Sequence, residues 1–210
     1  TVSRSLKVAV PIAVEHIVTC GAQVAGTKIV APLGTAAVAA NSLSVTAESL
    51  CYMPGYGISS AATTLIGQSV GAKREDLTRK LAWLITGLGM AVMTFTGMLM
   101  YIFAPEMIGI LSPDGAVREL GAAVLRIEAF AEIFFAASIV ATGVFRGAGD
   151  TLVPSIMNFC SMWLVRIPIS YFLAPRYGLR GVWIAMAVEL TVRGILFLIR
   201  LSGFHRNKKE

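Results

Sequence analysis

Residues 81–104 read LAWLITGLGMAVMTFTGMLMYIFA, twenty-four positions without a single charged side chain. Crossing ~30 Å of hydrocarbon takes about 20 helical residues, so this stretch alone is long enough to span a bilayer. Outward from it, five more spans emerge once a sparse intramembrane charge is tolerated. The expected set is 8–30, 36–70, 76–104, 115–145, 153–174 and 181–201. Pro- and Gly-bearing turns punctuate it: APLG at 31–34, SPDG at 112–115 and APRYG at 174–178. Short turns join antiparallel neighbours, and no soluble domain or low-complexity tract intervenes. The fold class expected is an all-α membrane protein, a single six-helix lobe over 1–210.

Composition agrees. Apolar residues make up 56 % of the chain and charged residues 14 %, with a mean hydropathy of +0.73. A water-soluble domain carries roughly 25 % charged residues to clothe its surface. The net charge of +6 does not point to nucleic acid, because no polar face interleaves Lys or Arg with aromatics. The basic residues cluster between apolar runs, where membrane lipid headgroups attract them. One side collects Arg4, Lys7, Lys73, Arg74, Arg79, Lys80, Arg146, Arg200, Arg206, Lys208 and Lys209, against Lys28, Arg118, Arg176 and Arg180 on the other. The positive-inside rule then puts both termini in the cytoplasm, as an even number of spans requires.

Cys20, Cys51 and Cys160 lie far apart inside apolar runs with no CxxC pair, so neither a metal site nor a disulfide framework is expected. In the second span, Pro54, Gly55 and Gly57 are hinge candidates. Proline removes a backbone hydrogen bond and glycine loosens the turn. Gly87, Gly89, Gly97, Gly143 and Gly147 permit close helix packing.

Ionisable groups within lipid need a partner or a water-lined cavity. At 1.5 Å per residue, Arg166 and Glu189 sit roughly 12 Å deep on neighbouring antiparallel spans. They are predicted to form a structural ion pair, with Arg193, one turn from Glu189, as the alternative partner. Glu48 and Glu132 fall near the midplane. Glu128 lies one turn from Glu132, and like charges at that spacing repel, so one of the two is expected to carry a proton. Two polar rows complete the candidate cation and substrate site. Glu15, His16, Thr19, Gln23 and Thr27 follow one face of the first span; Asn41, Ser44, Glu48 and Tyr52 follow one face of the second. With acids in both rows, they are expected to share an aqueous cleft.

Two stretches then resemble the multidrug and toxin extrusion (MATE) family, within a wider superfamily of multidrug, oligosaccharidyl-lipid and polysaccharide exporters. The first is GYGISSAATTLIGQSVGAKR at 55–74, with its Gly67-Gln68 pair and Gly71-Ala72 turn. The second is GVFRGAGDTLVP at 143–154, containing Arg146, Gly147, Gly149 and Asp150. Asn158, Arg166-Ile167-Pro168 and Gly181-Val182-Trp183 follow in the family's order. The resemblance runs across the whole chain and covers the second six-helix lobe of a twelve-helix family pattern. It implies a secondary active multidrug efflux carrier in a bacterial inner membrane, exporting small cationic organic compounds by antiport with Na+ or H+. It also implies a partner: a first six-helix lobe in the same full-length chain, or a second copy as a homodimer. Thr1 in place of methionine favours the former.

The family's functional residues carry over in part. Sodium-coupled members place an acid on the first helix of this lobe, for which Glu15 is the nearest match. They place another eleven residues before the motif arginine, where this chain has Phe135, with Glu132 one turn earlier. Any Na+ is thus expected near Glu15 and Glu132. The alternative within the superfamily is a lipid-linked oligosaccharide flippase, whose cavity arginines would have to come from Arg166, Arg193 and Arg126. No cofactor is expected and no enzyme: His16 and His205 stand without a GxSG or HExxH motif.

Overall fold

A computed structural model describes residues 2–203. The side chains of 2–12 and of Glu15, and all of 204–210, lie outside the described residues, among them His205 and the basic Arg4, Lys7, Arg206, Lys208 and Lys209 of the topology argument. Every regular element described is helical: α1 (Val2–Val30), a 3-10 turn (Ala31–Leu33), α2 (Thr35–Gly71), α3 (Glu75–Leu111), α4 (Gly115–Ala129), α5 (Glu132–Gly147), α6 (Leu152–Cys160), a π-helical turn (Ser161–Arg166) and α7 (Ile167–Ser202). Two helical stretches, Glu75–Leu111 and Leu152–Ser202, are long and apolar enough to cross a membrane, their most apolar eighteen-residue windows having mean hydropathies of 1.6 and 2.0.

Local chemistry sets the ends. Asp114 caps α4, its carboxylate accepting from the Ala116 amide at 2.9 Å. Glu75 and Asp76 open α3, where acids favour the positive end of the helix dipole. The α5–α6 turn closes α5 with two reversed amide bonds, Gly149 N to Arg146 O and Asp150 N to Phe145 O, around Gly149 at φ 88°. That Schellman geometry needs a left-handed residue, which glycine supplies without strain. The α2–α3 turn repeats it, Lys73 N to Val70 O and Arg74 N to Ser69 O, but there the left-handed residue is Lys73 at φ 55°.

α7 holds the end of the fifth span and the whole of the sixth. It folds back at Gly178 (φ 59°, ψ −141°). Gly181 allows the close return, since a Cβ there would meet the Leu173 carbonyl oxygen at 2.5 Å. Pairs across the hairpin run antiparallel: Arg166 reaches Met186, Ser161 reaches Glu189 and Asp150 reaches Arg200. Six spans result; the fourth and fifth differ in form from expectation, and the third runs on through Pro105 to Leu111. The fourth is not one helix over 115–145. It breaks at Phe130–Ala131, where hydrogen bonds shorten to the i−3 carbonyl (Ala131 N to Glu128 O, 2.8 Å; Phe134 N to Ala131 O, 3.0 Å). The fifth carries the π-helical turn. The second runs as an α-helix through Pro54.

The bundle closes by small-residue packing of α2 on α5. A Cβ at Gly143 would strike the Ser59 carbonyl, and one at Gly147 would lie 2.5 Å from the Thr63 carbonyl oxygen. Ser59 Oγ donates to Ile139 O at 2.8 Å and Thr63 Oγ1 to Gly143 O at 3.0 Å. Close backbone approach and hydroxyl bridges replace the missing hydrophobic drive between helices in lipid. A second layer of α2, α3, α4 and α7 packs around Trp183, Met100 and Ile108.

Candidate functional site

Glu48 projects from the middle of α2, Glu128 from the last turn of α4 and Glu132 from the first position of α5. The break at Phe130–Ala131 therefore falls between two of the three acids. Gly97 on α3 makes room for the third, since a Cβ there would sit 3.1 Å from Glu132 Cβ. Burial is close to complete: 6 % exposure for Glu48 and 0 % for Glu128 and Glu132. Neither oxygen of Glu128 or Glu132 has a hydrogen-bond partner among the described residues. The three charges lie within Coulombic range of one another, and Arg166 is the cation that reaches Glu48 and Glu128.

Aromatic rings border the cluster. Tyr52 packs edge-on against Phe135 at 5.8 Å and against Tyr56 at 5.7 Å, and the Arg193 guanidinium lies 5.6 Å over the Phe135 ring. Below them sits a second polar group. Glu189 is wholly buried, accepts from Ser161 Oγ at 2.5 Å and lies 3.3 Å from Arg193 Nε.

This corrects the expected Arg166–Glu189 pair. Across the hairpin Ser161 stands level with Glu189, while Arg166, five residues nearer the turn, stands level with Met186, whose Sδ it reaches, and lies within Coulombic range of the acids of α2 and α4. Arg193, one turn from Glu189 on the same helix, takes the contact. α1 packs chiefly against α6 and α7 rather than α2, and His16 and Gln23 are exposed. Gln23 O accepts from Thr27 Oγ1 within α1. Asn41 accepts from Trp183 Nε1 at 3.0 Å, Ser44 donates to Gly121 O at 3.4 Å, and Glu48 is left facing inward. The side chain of Glu15 lies outside the described residues.

The motif residues build the end of the bundle that carries the α2–α3 and α5–α6 turns. Gly67 and Gly147 face each other, a Gly67 Cβ standing 3.5 Å from Gly147 O. The Gln68 carbonyl accepts from Ala72 N at 2.9 Å, beside Gly71 at the end of α2. Asp150 pairs with Arg200, whose guanidinium lies 4.8 Å over Phe145. Gly55 brings α2 against Met93 on α3, while Gly57 meets open space.

Sequence reasoning placed Glu48, Glu128, Glu132 and Tyr52 among its candidates, but gave Phe135 only as the position of an absent acid and not as part of an aromatic border. Among the described residues, no group of three or more His, Cys, Asp and Glu side chains is placed to hold a metal ion.

The MatE family model matches residues 11–172, most of the chain. The chain belongs to the MatE family. The probable multidrug resistance protein NorM of Thermotoga maritima is 30 % identical over 204 residues, covering 94 % of this chain and 43 % of the relative. The NorM of Pasteurella multocida is 31 % identical, covering 96 % and 45 %. The fold matches the Vibrio cholerae MATE transporter VcmN in its bent form with a TM-score of 0.88 at 19 % identity, over 96 % of this chain and 47 % of that one. The chain thus spans about half the length of the MatE relatives it matches. It is an integral membrane protein by family.

Proposed function

We propose that this chain is one six-helix half of a secondary active multidrug exporter, in which Glu48, Glu128 and Glu132 attract a cationic drug and the coupling ion in turn. One observation carries the reading. Among the described residues, four buried acids (these three and Glu189) are faced by two arginines, Arg166 and Arg193, and the carboxylates of Glu128 and Glu132 have no hydrogen-bond partner. Buried negative charge is costly unless a cation neutralises it. A cationic, aromatic drug supplies that charge and stacks against Tyr52 and Phe135. Arrival of a proton or Na+ supplies it instead and removes the drug's electrostatic hold. No covalent step is involved.

The half-bundle needs a second body to rock against. That body is a first six-helix lobe of the same full-length chain, or a second copy. The membrane is the bacterial inner membrane, with both termini cytoplasmic. A lipid-linked oligosaccharide flippase is not favoured. Arg193 is committed to Glu189, and Arg126 lies two residues from Glu128, about 200° around α4.

The test is Glu132→Gln in the full-length transporter. Ethidium efflux from cells should cease while membrane expression holds. Unchanged efflux would refute this placement of the cation site. Repeating wild-type flux under an imposed pH gradient, and then under an imposed Na+ gradient, identifies the coupling ion.

A further inference from the structure

At the end of the bundle bearing the α3–α4 turn, a groove of about 420 Å³ opens between α3, α4 and the second arm of α7. Arg118, Arg126 and Arg180 line it together with a single acid, Glu119, and all four side chains are exposed.

The backbone builds this groove. Pro105 has no amide hydrogen, so the Tyr101 carbonyl one turn earlier loses its helical donor. Arg126 Nε points at that carbonyl from 3.4 Å, and its guanidinium lies 5.6 Å over the Tyr101 ring. Arg118 Nε donates to the Pro105 carbonyl at 2.9 Å. Gly109 clears the way, since a Cβ there would stand 3.1 Å from Arg118 Cζ. Both guanidiniums are thus oriented by their inner nitrogen, while the terminal nitrogens form the forks that phosphate oxygens fit.

Arg126 lies twelve residues past the Asp114 cap, roughly 18 Å along the helix. An exposed guanidinium at that depth calls for an anion. The groove continues into a surface suited to lipid, because α3 exposes Phe95, Met98 and Ile102 within about 80° of Pro105 around the helix, and Phe130 is 75 % exposed. We propose that the groove binds the phosphodiester headgroup of an anionic phospholipid, with the acyl chains lying along α3. Three arginines against Glu119 select a net negative headgroup over a zwitterionic one. The site is separate from the transport acids, which face the opposite side of α4.

The experiment is native mass spectrometry of the full-length protein titrated with phosphatidylglycerol or phosphatidylcholine. The wild type should bind one phosphatidylglycerol in preference to phosphatidylcholine. Arg180→Gln removes no hydrogen bond or ion pair described within the chain and should weaken that binding about fivefold. Glu119→Gln should strengthen it, a gain that damage to the fold does not produce. Arg74→Gln, at the other end, should change nothing. The proposal is overturned if both Arg180→Gln and Glu119→Gln leave the affinity unchanged, or if phosphatidylcholine binds equally well. It is also overturned if inorganic phosphate alone displaces the lipid at low millimolar concentration, which would assign the groove to a soluble anion.

Discussion

Glu189 and Arg193 form a buried ion pair one helical turn apart, 3.3 Å between Oε1 and Nε, with Ser161 as a third member donating across the hairpin to the same oxygen. Removing one side of such a pair strands the other charge. Arg193→Ala should cost about 3–5 kcal/mol and sharply reduce the folded fraction after solubilisation in detergent. The double change E189Q/R193M should recover much of it, because neither residue then carries a charge. Arg166→Ala, outside the pair, should lower the melting temperature less than Arg193→Ala. Equal losses would place Arg166 in the same network.

Helices α2 and α5 touch through backbone at Gly143, where any Cβ runs into the Ser59 carbonyl. A carbonyl on a packed helix cannot rotate away as a side-chain tip can. Gly143→Leu should therefore reach or exceed the upper end of the ~1–3 kcal/mol range for overpacking. Fluorescence-detected size-exclusion chromatography would read this as loss of the monodisperse peak. Gly57→Leu on the same helix α2 meets open space and should keep the peak.

Lys73 holds a left-handed backbone at φ 55°, in a turn whose counterpart after α5 uses Gly149. A side chain there is disfavoured by about 1 kcal/mol. Lys73→Gly should raise the melting temperature by a few degrees. A lower melting temperature would mean that the lysine side chain contributes more than its backbone strain costs.

Asp150 and Arg200 bridge the α5–α6 turn to the end of α7, with side chains 34 % and 26 % exposed. Partly solvated pairs are worth less than about 1 kcal/mol and are screened by salt. Asp150→Asn should thus shift the melting temperature little, and less at high ionic strength than at low. Arg200→Ala should cost more, since it also strips the guanidinium from the face of Phe145. Equal, salt-independent losses would reassign the motif's stabilising role to the ion pair.

How much of this was legible in the chain itself follows from the range of the forces involved. The uncharged run at 81–104 decides the solvent, because transfer to hydrocarbon is summed residue by residue and needs no neighbour. The reversals at Gly34, Ser112–Asp114 and Gly178 are local as well, set by Pro, Gly and a capping acid. The interior acids could be counted from sequence for the same reason: a charge in an apolar run is visible wherever it points.

Where each charge points was decided elsewhere. EAFAE at 128–132 contains neither proline nor glycine, yet the helix breaks within it. Nothing in SMWLVR at 161–166 announces a π-helical turn. Each such event rotates everything beyond it, since one residue is worth about 100° of helix. The register of the hairpin about Gly178 set Ser161 rather than Arg166 opposite Glu189 and left the ion pair to Arg193, and α1 packed chiefly against α6 and α7. Packing between helices distant in sequence chooses among these phases, and the choice is not written at any single position.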